Sequence, residues 1–86
     1  MENPYMRHLE TLIRHGAQVV DGDGMKPLST SFVAKAREEC RRIHTHAILY
    51  DLILPDIDEP LAIAIWADGR IDSGSAGSVL KVTGVG

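Results

Sequence analysis

A single cysteine, Cys40, stands in this chain of 86 residues, so no disulfide can form within it. Aromatic residues make up only 5% of it, too few for a platform on which nucleic-acid bases could stack. Neither sign of charge dominates. Nine Lys and Arg face twelve Asp and Glu, a formal net charge of −3, which argues against a phosphate-seeking surface over the whole molecule. The longest apolar run is far too short to span a bilayer, and the opening MENPYMRHLE carries no apolar signal segment. A reducing, cytoplasmic setting is therefore the expectation, without a membrane role. The length admits one α+β domain over residues 1–86 and leaves little material for a deep pocket. What is present is ordinary for a folded globule, with 44% hydrophobic and 24% charged residues.

The charge is unevenly spread. Residues 1–50 hold seven basic and six acidic side chains, a net of +1, whereas residues 51–86 hold two and six, a net of −4. Two solvated faces of unlike composition account for this, and so does an acidic end that docks on a basic partner.

Asn3 followed by Pro4 reads as a helix start, and Met6, Leu9, Leu12, Ile13 and Gly16 recur at helical spacing. MRHLETL nearly repeats in IRHGAQV, placing Arg7, His8, Arg14 and His15 on the polar side. The pattern predicts a first helix over about 4–19, with self-association into a homodimer as one use of its heptads. Asp21-Gly22-Asp23-Gly24 predicts a turn. Ser29, Thr30 and Ser31 offer N-caps for a second helix over about 31–46, whose stripe runs Phe32, Ala36, Cys40, Ile43, Ala47 and Tyr50.

Residues 47–54 fit either a buried strand or a continued helix; the strand is preferred because the next segment needs an antiparallel neighbour. Leu61, Ile63 and Ile65 alternate with Ala62, Ala64 and Trp66 in a strand over about 61–67. A three-residue Ala67-Asp68-Gly69 turn, with Gly69 left-handed, pairs Ile65 with Ile71 and lays Arg70 beside the Trp66 ring. Strands over about 70–73 and 79–83 follow, separated by a small-residue loop over 73–78. The expected architecture is two N-terminal helices on one face of an antiparallel sheet of three to four strands, about 47–54, 61–67, 70–73 and 79–83.

No motif carries chemistry. With Asp21 as first ligand, a calcium loop would need glycine where Lys26 stands and glutamate where Phe32 stands. Cys40 and His44 are spaced i, i+4 and a helix-one histidine could join them, but no zinc signature accompanies them, and Cys40 reads as a core residue. Gly74-Ser75-Ala76-Gly77 is one residue short of a nucleophile elbow and lacks a phosphate-loop ending. The expectations are no catalytic residues, no metal and no cofactor.

What remains is interaction. The chain reads as a small non-enzymatic protein binding a larger protein or complex, including nucleic-acid-handling ones, through an acidic C-terminal face. An inhibitor or regulator, of the size that phages and mobile elements encode, is the expectation. Its partner-binding candidates are Asp56, Asp58 and Glu59, with Trp66 and Arg70; Trp66 is either an exposed anchor beside the acidic loop or a core residue under helix two or the tail. The alternative is a nucleic-acid-binding domain using Lys35, Arg37, Arg41 and Arg42 of helix two.

Overall fold

Both faces of strand 61–66 are buried, and that fact organises the fold: Leu61, Ala62, Ile63, Ala64 and Ile65 are all at most 8% exposed. The computed structural model describes residues 4–22 and 24–84, with side chains from His8 onward. Its order is α1 (Pro4–Arg14), β1 (Gln18–Asp21), β2 (Gly24–Pro27), α2 (Thr30–Arg42), β3 (Ala47–Ile53), β4 (Leu61–Trp66), β5 (Ile71–Ser75) and α3 (Ala76–Thr83). The strands form one antiparallel sheet in the order β2-β1-β3-β4-β5. The fold class is α+β, as expected, with three helices and five strands among the described residues rather than two and three or four.

Two cores result. Leu61, Ile63 and Ile65 meet Leu9, Leu12, Val33 and Ala36 from α1 and α2. On the other face Ala62 and Ala64 meet Val79 of α3, with Leu49, Trp66 and Ala76 packed around them. The apolar positions of the helix-one heptads, Leu9 and Leu12, are thus taken up inside the chain, while Ile13 stays 36% exposed. Met6 and Arg7 as side chains, together with Asn3, Asp23 and the last two residues, lie outside the description.

The structure differs from expectation at the end of helix one, over 18–27, at the end of helix two and over 73–83, where β5 runs on to Ser75 in place of the expected loop. Helix one stops at Arg14 rather than near 19 because Gly16 closes it: at φ 75 its N–H bonds to Ile13 O at 3.0 Å, and Ala17 N–H bonds to Leu12 O at 3.1 Å. This is the Schellman ending, which requires a left-handed residue that glycine adopts without strain. Residues 18–21 and 24–27 then form a hairpin that helical periodicity had absorbed or passed over. Residues 76–83 form a helix, not a strand, capped by Ser75, whose Oγ accepts from Ser78 N–H at 3.4 Å. Val79 and Thr83, four apart, are its buried positions. The flat alanine face of β4 leaves room for a helix directly above it. That contact overrides the β preference of the V-L-K-V-T run.

Helix two ends at Arg42, not 46, with the same motif: Thr45 N–H bonds to Cys40 O at 2.9 Å and His44 N–H to Arg41 O at 3.3 Å. Here a histidine, His44 at φ 56, holds the left-handed position that Gly16 holds in α1. His44→Gly is therefore expected to raise the unfolding free energy by about 1 kcal/mol, the strain removed exceeding the entropy added. A lower urea midpoint than wild type would show that His44 contributes something other than strain.

The turn of the β4–β5 hairpin is as read from the sequence. Ile65 pairs with Ile71, Trp66 N–H bonds to Arg70 O at 2.9 Å, and Gly69 takes φ 101. The preferred strand over 47–54 is also formed, as β3. At the opposite edge of the sheet the register turns the free backbone groups of Met25 and Pro27 outward, and Pro27 has no N–H to offer. A proline on an open edge discourages strand-to-strand aggregation. Among the described residues no helix is long and apolar enough to cross a membrane.

Cys40 is fully buried and its Sγ approaches Ile65 O at 3.5 Å. Burial pushes its thiol up from the ordinary 9.0, so at neutral pH it is a protonated core group and a poor nucleophile. Tyr50 is pushed up as well, by burial first and then by Asp21. A raised folded pKa leaves stability intact below the ordinary value and removes it as pH climbs past that value. The urea midpoint is expected to fall above about pH 9, and less steeply in Cys40→Ala. An equal fall in both proteins would remove Cys40 as a cause.

Candidate functional site

The acidic loop, residues 54–60, joins β3 to β4 at one end of the sheet. Leu54 starts a turn in which Ile57 N–H bonds back to Leu54 O at 3.2 Å, and Pro55 and Pro60 bracket it. Asp56, Ile57, Asp58 and Glu59 are all exposed, Ile57 to 42%. Ile57, Asp58 and Glu59 enclose a hollow of about 430 Å³ with Asp51 and Ile53 of β3. The acidic groups are thus not alone: two isoleucines stand among them, Ile53 being 40% exposed.

Asp51 links this hollow to a second one. In the sheet register Met25, Val20, Asp51 and Ala62 stand side by side across β2, β1, β3 and β4, with their side chains on one face. Helix α3 packs on β4 and β5, so its cover ends over Ala62. Beyond it the face is open: Met25 is 58% exposed, Asp51 is exposed, and Leu80 of α3 overhangs at 43%. Val20, Leu49, Asp51, Ala62 and Leu80 enclose a hollow of about 290 Å³ there. The result is a strip of exposed apolar side chains running from Leu80 and Met25 to Ile53 and Ile57, with Asp51 in its middle and Asp58 and Glu59 at its end. Of these, sequence reasoning identified only the acidic loop. Met25, Val20, Asp51, Ile53 and Leu80 were missed, because they become neighbours only through the pairing of β1 with β2 and β3 and the packing of α3 on β4.

Trp66 lies elsewhere. Loop and tryptophan stand at opposite ends of β4, about 17 Å apart at the rise of an extended strand, so the two are not adjacent as the sequence suggested. The tail, as α3, covers the alanine face, and Trp66 is half-buried at its margin. Its Nε1–H donates to Asp72 Oδ2 at 2.8 Å, and Arg70 Nε donates to the same oxygen at 3.0 Å. The Arg70 guanidinium carbon sits 4.3 Å from the ring centroid, as anticipated, and the His46 ring lies 5.3 Å away. His46 Nε2 meets Thr83 O at 2.9 Å, tying the cluster to the last turn of α3. Trp66 and Arg70 thus already have partners within the chain, and what they do is hold β5 and α3 onto the end of β4.

The basic residues of α2 divide between two flanks. At about 100° per residue, Lys35 and Arg42 point one way and Arg37 and Arg41 roughly 130° away, with Glu38 between them. Arg42 is paired with Glu39, which lowers the Glu39 carboxyl pKa through that hydrogen bond. Arg37 leans toward the hairpin turn at Gly69, and its Nε is buried without a partner. Lys35 faces a cleft beside β2. No single basic stripe is formed. His44 lies beyond the end of α2, so the i, i+4 arrangement of Cys40 and His44 does not arise, and among the described residues no three His, Cys, Asp or Glu side chains gather as a metal ion would need.

Compared with known proteins, the chain matches no protein-family model, and none of the curated proteins or solved structures is detectably similar to it.

Proposed function

We propose that the protein acts by binding another protein through the open half of its sheet and the adjoining acidic loop, as a non-enzymatic inhibitor or regulator. The observation that carries this reading is the strip of exposed Met25, Ile53, Ile57 and Leu80 around the half-buried Val20, beside the part of the sheet that α3 leaves uncovered, with Asp51 in its middle and Asp58 and Glu59 at one end. Exposed apolar side chains edged at one end by an acidic rim suit a protein contact, which joins an apolar core to a polar margin. The acidic rim selects a partner whose own surface is basic around an apolar centre, such as a nucleic-acid-handling protein, and it speeds their encounter at low salt. Trp66 is not needed for this contact.

The test is isolation of the native complex and measurement of its mass, repeated with variants. Ile53→Asp and the pair Asp58→Lys, Glu59→Lys are expected to lose the partner, while Lys35→Ala and Arg41→Ala keep it. The reverse pattern would move the contact to α2, and retention of the wild-type protein on DNA at low salt would then give the nucleic-acid reading its support.

A further inference from the structure

One cleft belongs neither to the acidic strip nor to the Trp66 cluster. It lies on the other face of the sheet, between α2 and strands β1 to β3, with a volume of about 430 Å³, within the range of about 300–1,000 Å³ usual for small-molecule sites. Phe32 and Tyr50 supply an aromatic wall, their rings meeting edge to face at 5.0 Å between centroids. Asp21, Lys26, Lys35 and Glu39 stand around it. The charges do not cancel evenly. Asp21 is paired with Lys26 at 3.5 Å and Glu39 with Arg42 outside the cleft. Lys35 forms no ion pair and the Tyr50 hydroxyl no hydrogen bond among the described residues. Two donors are therefore left unengaged beside an aromatic surface.

We propose that this cleft binds a compact monoanion with a flat apolar body, an aromatic carboxylate by chemical class. Lys35 and the Tyr50 hydroxyl hold the carboxylate, and the Phe32 ring packs against the body. A tyrosine phenol is protonated at neutral pH in any case, and burial and Asp21 push its pKa further up, so it is available as a donor. Asp21 and Glu39 oppose an anion here, as they oppose the Tyr50 phenolate, but Lys26 and Arg42 pair with them and leave Lys35 as the unmatched charge.

Benzoate, benzylamine and benzyl alcohol share a ring and differ in charge, and each can be titrated into the isotope-labelled full chain while amide resonances are followed. Benzoate is expected to shift residues of α2 and Tyr50 saturably, with a Kd on the order of 10 mM or tighter for so small a molecule. Lys35→Ala is expected to weaken it about tenfold and Tyr50→Phe about fivefold, with spectra otherwise like wild type. Equal binding of benzylamine or benzyl alcohol, shifts centred elsewhere, no saturable shift, or undiminished affinity in Lys35→Ala would each overturn the proposal.

Discussion

Ile63→Ala is expected to lower the unfolding free energy by about 4 kcal/mol, the upper part of the range for a fully buried isoleucine. Ile63 is 0% exposed in the middle of β4, paired with Tyr50 on one side and Ser73 on the other, in one core with Leu9 and Leu12 of α1 and Val33 and Ala36 of α2. Truncation removes its transfer free energy and leaves a cavity that a five-stranded sheet with helices on both faces cannot close. A chain this size has a total stability of only about 4–13 kcal/mol, so a large part of the molecule should unfold under mild conditions. Urea denaturation followed by circular dichroism measures this. A loss below about 1.5 kcal/mol would show that the helix pair can settle onto the sheet. Ile57→Ala, on the acidic loop at 42% exposure, should by contrast stay within about 0.5 kcal/mol of wild type.

Trp66→Ala is expected to cost about 3 kcal/mol, at the low end for tryptophan because the ring is only half-buried. Several contacts fail together: packing on the second core, the guanidinium of Arg70 over the ring, and one of the two donors to Asp72. Asp72→Asn keeps the ring but weakens both hydrogen bonds, and should cost about 1 kcal/mol. Because this is the only tryptophan, its emission reports on the cluster directly, and a red shift in Asp72→Asn is the expected signature. Both variants should keep the proposed partner under conditions where they stay folded. Loss of the partner by folded Trp66→Ala, at unchanged stability, would return Trp66 to the interface.

Local chemistry alone carried the second helix, the alternating faces of β4 and the hairpin at Gly69. Those elements rest on spacing, N-caps and turn residues that act within a few positions of one another. The same local rules misjudged the N-terminal region. Gly16 falls on the helix-one face by spacing, although a glycine followed by Val19 and Val20 and a DG turn signals a stop and a hairpin. That signal was present and the helical repeat outweighed it. The misreading of 76–83 is of another kind. A run of Val, Leu, Val and Thr favours a strand by propensity, and only the alanine face of β4 above Val79 decides for a helix.

The site divides along the same line. By itself the sequence determined that the second half is acidic, that Cys40 belongs to the core and that Arg70 would lie on Trp66, because each depends on composition or on neighbours close in the chain. The tertiary structure decided which surface is free. It set α3 over one half of the sheet and left the other half open, separated the acidic loop from Trp66 by the length of β4, and brought Met25, Val20, Ile53 and Leu80 together. Strand order and the placing of a terminal helix are long-range outcomes of how two cores fill. No local pattern encodes them.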